Sequence, residues 1–352
     1  MYILQTIQRM NNIEAIEKQL NSLSLTSNAE KPKSGFGIFV YLPCIDKDHI
    51  AVLKNTLYFL YKNYNANFKH DVFIVSRDNV KDQDDIGLGI REECRHTLKF
   101  LVIPPECLEL PKSIDQNVLD RTLSLAPVKE WGNIEERVMT HFWVFHFWKI
   151  AKQMGLSHVM KINFDTYIEE PIREDLYNIV KEKDYNLLFN ILQVDSGVCC
   201  YGIKDFLMSH NKDNEDKRTE IKSYFSQDKI SDLNCVSALK QIHKIVYKKD
   251  YPLEDLLIDQ PIVCNDSFFV MNVDFWFRTD IAPLMRIIEA SNNIFYFKWS
   301  LSSIISLVAM MVDKEKMTRC VFRTSNREHR EVIDGVAKMP LKYSQSGCIT
   351  SK

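Results

Sequence analysis

"MKINFDTYIEEPI", residues 160–172, closes the apolar run "HVMKI" on an N-x-D triplet carrying Asn163 and Asp165. Ligands of parallel α/β sheets gather beyond the carboxyl ends of the strands, so a strand ending on an amide and a carboxylate is a candidate site. In extended backbone, residues two apart share a side, so Asn163 and Asp165 are expected to face one ligand while Phe164 packs away. A carboxylate with amide support suits a hard divalent cation, Mn²⁺ or Mg²⁺, and such ions bridge diphosphate oxygens. The same triplet also suits a turn or a helix cap.

The segments upstream alternate in period. "GIFVYLP" (37–43), "DVFIVSRD" (71–78) and "LKFLVIP" (98–104) read as strands, and 52–64 and 87–97 between them as helices. That order predicts an α/β fold with a mostly parallel central sheet covered on both faces. Residues 135–155 are aromatic on nearly every side and end at Gly155, which predicts a helix buried in the middle of the domain. Downstream, a helix (172–182), the strand "NLLFNIL" (186–192) and a charged stretch (209–229) of exposed loop or short helices are expected. "IVCNDSFFVMNVDFWFR" (262–278) reads as a strand turning into a helix; helices near 281–291 and 299–312 and a strand "RCVFR" follow.

Ile7, Met10, Ile13, Ile16, Leu20 and Leu23 recur at helical spacing, predicting an amphipathic N-terminal helix able to pack on the body or to self-associate. The polar "TSNAEKPKSG" after it reads as a linker. The expected organisation is helix and linker over 1–34, one globular domain over 35–335 and a tail over 336–352.

The 352 residues are 45% apolar, enough to bury a large core, and the net charge of −2 offers no field for nucleic acid. Nine cysteines are scattered without a C-x-x-C pair, which fits reduced thiols in the cytoplasm. Cys199 and Cys200 are adjacent, a poor geometry for zinc. The greasiest stretch, "SLSSIISLVAMMV" (300–312), is too short for a transmembrane segment and reads as a buried helix.

Taken in order, "VLKNTLYFLYKNYNANFKHDVFIVSRD", "CRHTLKFLVIPPECLELPKSIDQNVLDR", "WGNIEERVMTHFWVFHFW", "HVMKINFDTYIEEPI", "CNDSFFVMNVDFWFR" and "FYFKWSLSSII" resemble the fungal-type α-1,2-mannosyltransferase family, glycosyltransferase family 15. The resemblance spans roughly residues 36–330. It implies a GT-A (Rossmann-like) nucleotide-sugar-binding fold with a C-terminal acceptor-side extension. It also implies transfer of mannose from GDP-mannose to a glycan or glycoprotein hydroxyl, with retention and with Mn²⁺ (or Mg²⁺).

The resemblance implies that "NFD" holds the place of the acidic metal motif, with Asn163 replacing the first acid, and that His329 completes the metal site with Asn163 and Asp165. Arg137 in "WGNIEER" corresponds to an arginine able to clamp a diphosphate; a helix-surface salt bridge with Glu135 is the plainer reading. At the ends of the first two strands, Tyr41 and Leu42, and Arg77 and Asp78, are candidates to meet the base and ribose. Family members carry a sugar-side Glu where this chain has none in register; Asp266 is the nearest carboxylate and Asp259 the second. The family's membrane anchor is missing from this start, so action in the cytoplasm or on a membrane surface is expected. A catalytically inactive GT-A-like binding module is the alternative.

Overall fold

A computed structural model describes residues 35–326 except 82, 88, 89, 126, 128, 231 and 250–256, and beyond them 331–333 and 336–338. The expected N-terminal helix, the linker and His329 lie outside the described residues.

In chain order the strands run β1 (Phe36–Leu42), β2 (Asp71–Ser76), β3 (Leu98–Val102), β4 (His158–Asn163), β5 (Thr166–Ile168), β6 (Leu187–Phe189), β7 (Leu192–Val194), β8 (Phe225–Lys229), β9 (Leu257–Cys264), β10 (Phe268–Asn272), β11 (Met317–Arg319) and β12 (Thr324–Asn326). Seven of them form the central sheet in the order β11-β6-β10-β4-β1-β2-β3. All run parallel except β10, which is antiparallel to both β4 and β6. A smaller antiparallel sheet, β7-β9-β8, stands beside it.

Strand alternation divides the core. Ile38, Val40 and Leu42 of β1, with Met160 and Ile162 of β4, pack with the helix Lys47–Leu60. Phe39 and Val159 point to the other face, into a cluster with Trp131, Phe142, Phe147 and Trp148. That second face is covered by the aromatic segment, a helix Ile134–His141 that passes through a π-helical turn, Phe142–His146, into Phe147–Gln153. Asn133 caps its start by accepting from the Glu136 amide at 3.1 Å. Gly155 ends it with φ +78°, and the amides of Leu156 and Gly155 close on the carbonyls of Ala151 (3.1 Å) and Lys152 (2.9 Å). That double closure needs a left-handed residue, which only glycine adopts without strain. Trp148 is 2% exposed, so truncating it to alanine should cost about 3–5 kcal/mol.

The stretch 262–278 departs from expectation. Instead of one strand entering a helix, it is two strands, β9 and β10, separated by Asn265, Asp266 and Ser267. The Asn265 side chain accepts from the Ser267 amide at 2.7 Å, a local turn that ends one sheet and starts the other. The charged stretch resolves into the helix Glu215–Ser223 and strand β8, and the "RCVFR" strand is displaced to Met317–Arg319. The helix Leu301–Asp313 is where the sequence places it, buried from Leu301 through Met311 and capped by Ser300. No helix among the described residues is long and apolar enough to cross a membrane.

Candidate active site

The carboxyl ends of β1 and β4 coincide, with Tyr41 paired to Asn163. On the other flank of β4 the Asn163 amide donates to the Ser267 carbonyl at 2.9 Å, which brings the β9–β10 turn alongside. A cavity of about 360 Å³ opens over these three segments. Its polar lining includes Glu136, Arg137, Lys161, Asn163, Asp195, Asp266 and Lys298, and Tyr41, Trp143 and Trp299 wall it. Size, aromatic walls and a few converging polar groups are the attributes of a small-molecule site. The N-terminal residues of the helix Leu301–Asp313 also face it, which favours an anion there.

Four of the residues expected from sequence therefore meet: Tyr41, Arg137, Asn163 and Asp266. Burial raises the pKa of the Tyr41 hydroxyl, and nearby Arg77 opposes that rise. Arg137 is 1% exposed, and burial pulls it down to about 10. Its two terminal nitrogens donate to the main-chain carbonyls of Phe295 and Trp131, and its guanidinium lies over the Trp131 ring at 5.0 Å. Arg137 is thus a positioning residue that ties the cavity wall together. Glu135, its alternative partner from sequence, pairs with Arg77 at 3.4 Å instead.

The other expected residues stand apart. Leu42 points to the opposite face of the sheet, into the core, because the strand alternates. Arg77 is held on Glu135, and Asp78 is exposed beyond β2. Asp259 lies within β9 and is paired with Lys204 at 2.6 Å, beside a separate small cavity. Asp165 does not line the cavity with Asn163. The reason is local: β4 stops at Asn163, and Phe164 and Asp165 form the turn into β5, so the two-residue alternation does not extend to Asp165. Phe164 does pack away, stacked on His49 at 5.3 Å.

Lys161 sits in the centre of the site, on the same side of β4 as Asn163. It is 3% exposed, and its Nζ donates to Asn163 Oδ1 at 2.5 Å and to the Asp266 carbonyl at 2.6 Å. The Asp266 carboxylate is 3.9 Å away, and the Trp143 and Phe269 rings lie at 5.6 and 5.8 Å. Burial lowers the lysine's pKa, while Asp266 and Asp165 favour the charged form. The same period-two argument that singles out Asn163 points to Lys161, a cation set between the apolar Met160 and Ile162.

Asp195, just past β7, is the other residue that sequence reading missed. It accepts from the hydroxyls of Ser300 (2.5 Å) and Ser303 (2.8 Å), the Cys200 thiol (3.4 Å) and the Ser196 amide (2.8 Å). Ser300 and Ser303, which hold it in place, are about a hundred residues distant, so no local motif announces it. Gly197 in the same loop lies against β9, where a Cβ would come within 2.8 Å of the Asp259 carbonyl. Lys298, 7% exposed, pairs with Glu136 at 2.9 Å across the wall.

These residues do not fit a divalent ion on Asn163. Its amide oxygen already accepts from Lys161 at 2.5 Å. A metal bonded to that oxygen at roughly 2.1 Å would therefore lie within about 4.6 Å of the ammonium. Repulsion between a dication and a monocation at that separation is on the order of 7 kcal/mol at an effective dielectric constant of about 20. Cys44, Asp46 and His49 do bring three ligand-type atoms within 4.8 Å of one another, but Asp46 there caps a helix by accepting from the His49 amide at 2.8 Å.

No protein-family model and no curated protein matches this sequence. Solved structures do match its fold. Core-mannan synthase A of Aspergillus fumigatus, solved in its Mn/GDP form, superposes with a TM-score of 0.62 at 11% identity, covering 84% of this chain and 75% of that one. The mannosyltransferase Ktr4p of S. cerevisiae, solved in complex with GDP, gives 0.62 at 16% identity, covering 88% and 78%. The architecture is therefore the GT-A fold expected from sequence, in the form seen in fungal mannosyltransferases.

Proposed function

We propose that this protein is a glycosyltransferase that moves a sugar from a nucleoside diphosphate donor to a hydroxyl of a glycan or glycoprotein, with GDP-mannose as donor and with retention of configuration. The observation that supports it most is the placement of the cavity. It lies over the carboxyl ends of β1 and β4, in a fold shared with mannosyltransferases solved with GDP.

The residues take roles by chemistry. Tyr41, at the β1 end, offers a face for a base or a sugar, and Trp143 and Trp299 offer apolar walls for the pyranose. Asp266 and the hydroxyl-fixed Asp195 provide carboxylates against the positive charge that grows at the anomeric carbon as the bond to phosphate breaks. The acceptor oxygen bonds to that carbon from the side the diphosphate leaves. The bond's electron pair stays on the diphosphate, which takes the acceptor's proton. Lowering this barrier depends on donors and charges fixed before the reaction. All eight cysteines among the described residues are free, which fits a reducing compartment, and we place the reaction in the cytoplasm or on a membrane surface facing it.

A hydrolysis screen across GDP- and UDP-sugars tests the activity without needing an acceptor. Release of GDP from GDP-mannose above background is the expected result. Absence of release from every donor, together with no nucleotide binding by calorimetry, would sink the reading.

A further inference from the structure

We propose that the ammonium of Lys161 takes the place of a divalent ion in this site, so that the donor's diphosphate binds directly to the protein and without metal. The inference rests on the nucleotide-sugar reading above and concerns how that site neutralises its substrate.

Three observations converge. The amide oxygen that would ligate the ion already has a cation against it, since Lys161 Nζ lies 2.5 Å from Asn163 Oδ1. Asn163 is uncharged and supplies no negative charge to hold a dication next to a lysine; its amide oxygen accepts from the ammonium instead. Finally, the closest contacts of the lysine are not to carboxylates. Its two short hydrogen bonds go to uncharged oxygens, Asn163 Oδ1 and the Asp266 carbonyl, and the Asp266 carboxylate stays 3.9 Å away.

An ammonium has three donors, and those two bonds leave one for a ligand in the cavity that Lys161 lines. Trp143 and Phe269 shield the same group from water, where a charge-assisted hydrogen bond to phosphate is stronger. The other cationic side chains of the cavity are engaged, Lys298 with Glu136 and Arg137 with two carbonyls. Lys161 is therefore the lining cation placed to meet an incoming anion. When the sugar–phosphate bond breaks, its electron pair remains on the diphosphate, and the fixed ammonium stabilises that charge without giving up its proton.

Calorimetric titration of the full chain with GDP and with UDP, in EDTA and in Mn²⁺, provides the test. The expected dissociation constant for the preferred nucleotide agrees within about threefold between the two conditions. Lys161→Met should weaken binding in EDTA by about tenfold or more, the worth of a hydrogen bond to a charged group, while circular dichroism stays that of the parent. Binding that appears only with Mn²⁺, or that survives K161M unchanged, overturns the inference and leaves the nucleotide-sugar reading intact. Failure of both nucleotides in both conditions overturns that reading, and the inference with it. The EDTA comparison uses the wild-type chain, so it decides the matter even if K161M does not fold.

Discussion

Two lysine–aspartate pairs lie on either side of the same stretch of chain and behave differently. Asp259, inside β9, meets Lys204 at 2.6 Å, with both side chains partly open to solvent at 27% and 20% exposure. Asp266, in the turn after β9, stays 3.9 Å from Lys161, which is 3% exposed while the acid is 36% exposed. The first pair is closed and screened, a surface contact worth less than about 1 kcal/mol. The second holds a desolvated cation against uncharged oxygens and keeps its carboxylate at the cavity. The short ion pair ties a helix, Ile203–His210, to strand β9; the open one leaves its carboxylate facing the cavity.

The largest effect should come from breaking the open pair. K161M is expected to lower turnover about 100-fold, as removal of a preorganised charge does elsewhere, read as initial rates of donor hydrolysis. Adding N163E to K161M supplies an acid where the ammonium stood. Mn²⁺ should then tighten GDP binding by about tenfold in calorimetry, a gain the parent does not show. Asp266→Asn keeps the main-chain carbonyl that Lys161 uses and removes only the carboxylate, so kcat should fall about tenfold or more with the melting temperature unchanged.

Acid titration sharpens the contrast, because the groups that set the acid limit of stability lie outside both pairs. Burial pushes His141 down to about 3 and His158 down to about 4. Above pH 6.5 both are neutral in the folded and unfolded chain and cost nothing. As pH falls below that, the unfolded chain takes up protons that the folded one refuses, so stability is lost between about pH 6.5 and 4. Each contributes roughly 2–3 kcal/mol of loss by pH 4.5, and replacing both with glutamine should make that limb of the denaturation profile shallower, with His146, which burial also pushes down to about 4, supplying the rest. The smallest effect belongs to the closed pair: Asp259→Asn should shift stability by less than about 1 kcal/mol and leave the hydrolysis rate as in the parent.

Much of the sheet was legible because β1 to β4 are long apolar runs separated by helical periods, and the aromatic helix carries its own terminator in Gly155. The break between β9 and β10 was harder to see. "IVCNDSFFVMNV" is apolar on both sides of Asn265, and a buried run does not show where it changes sheets, although Asn-Asp-Ser is turn chemistry. The site divided along the same line. Tyr41 and Asn163 follow from strand ends, and Lys161 follows from alternation once β4 is accepted. Asp195 is defined by Ser300 and Ser303, contacts that exist only after the chain has folded. Asp165 lies in the turn where β4 stops, so the alternation that pairs it with Asn163 in sequence does not carry into the structure, although its charge still reaches Lys161.

The π-helical turn Phe142–His146 bears on how this cavity can be reshaped. A π turn accommodates one more residue than the α-helical turn it interrupts, and each residue rotates a helix by about 100°. Excising a single residue from that turn would leave an unbroken, equally apolar helix. Because the wide turn absorbs the extra residue, Glu136, Arg137 and Thr140 before it and Trp148 after it would keep their faces. Only side chains inside the turn, Trp143 of the cavity wall among them, would be redirected, so a deletion there would reshape one aromatic wall and leave the rest of the cavity in place.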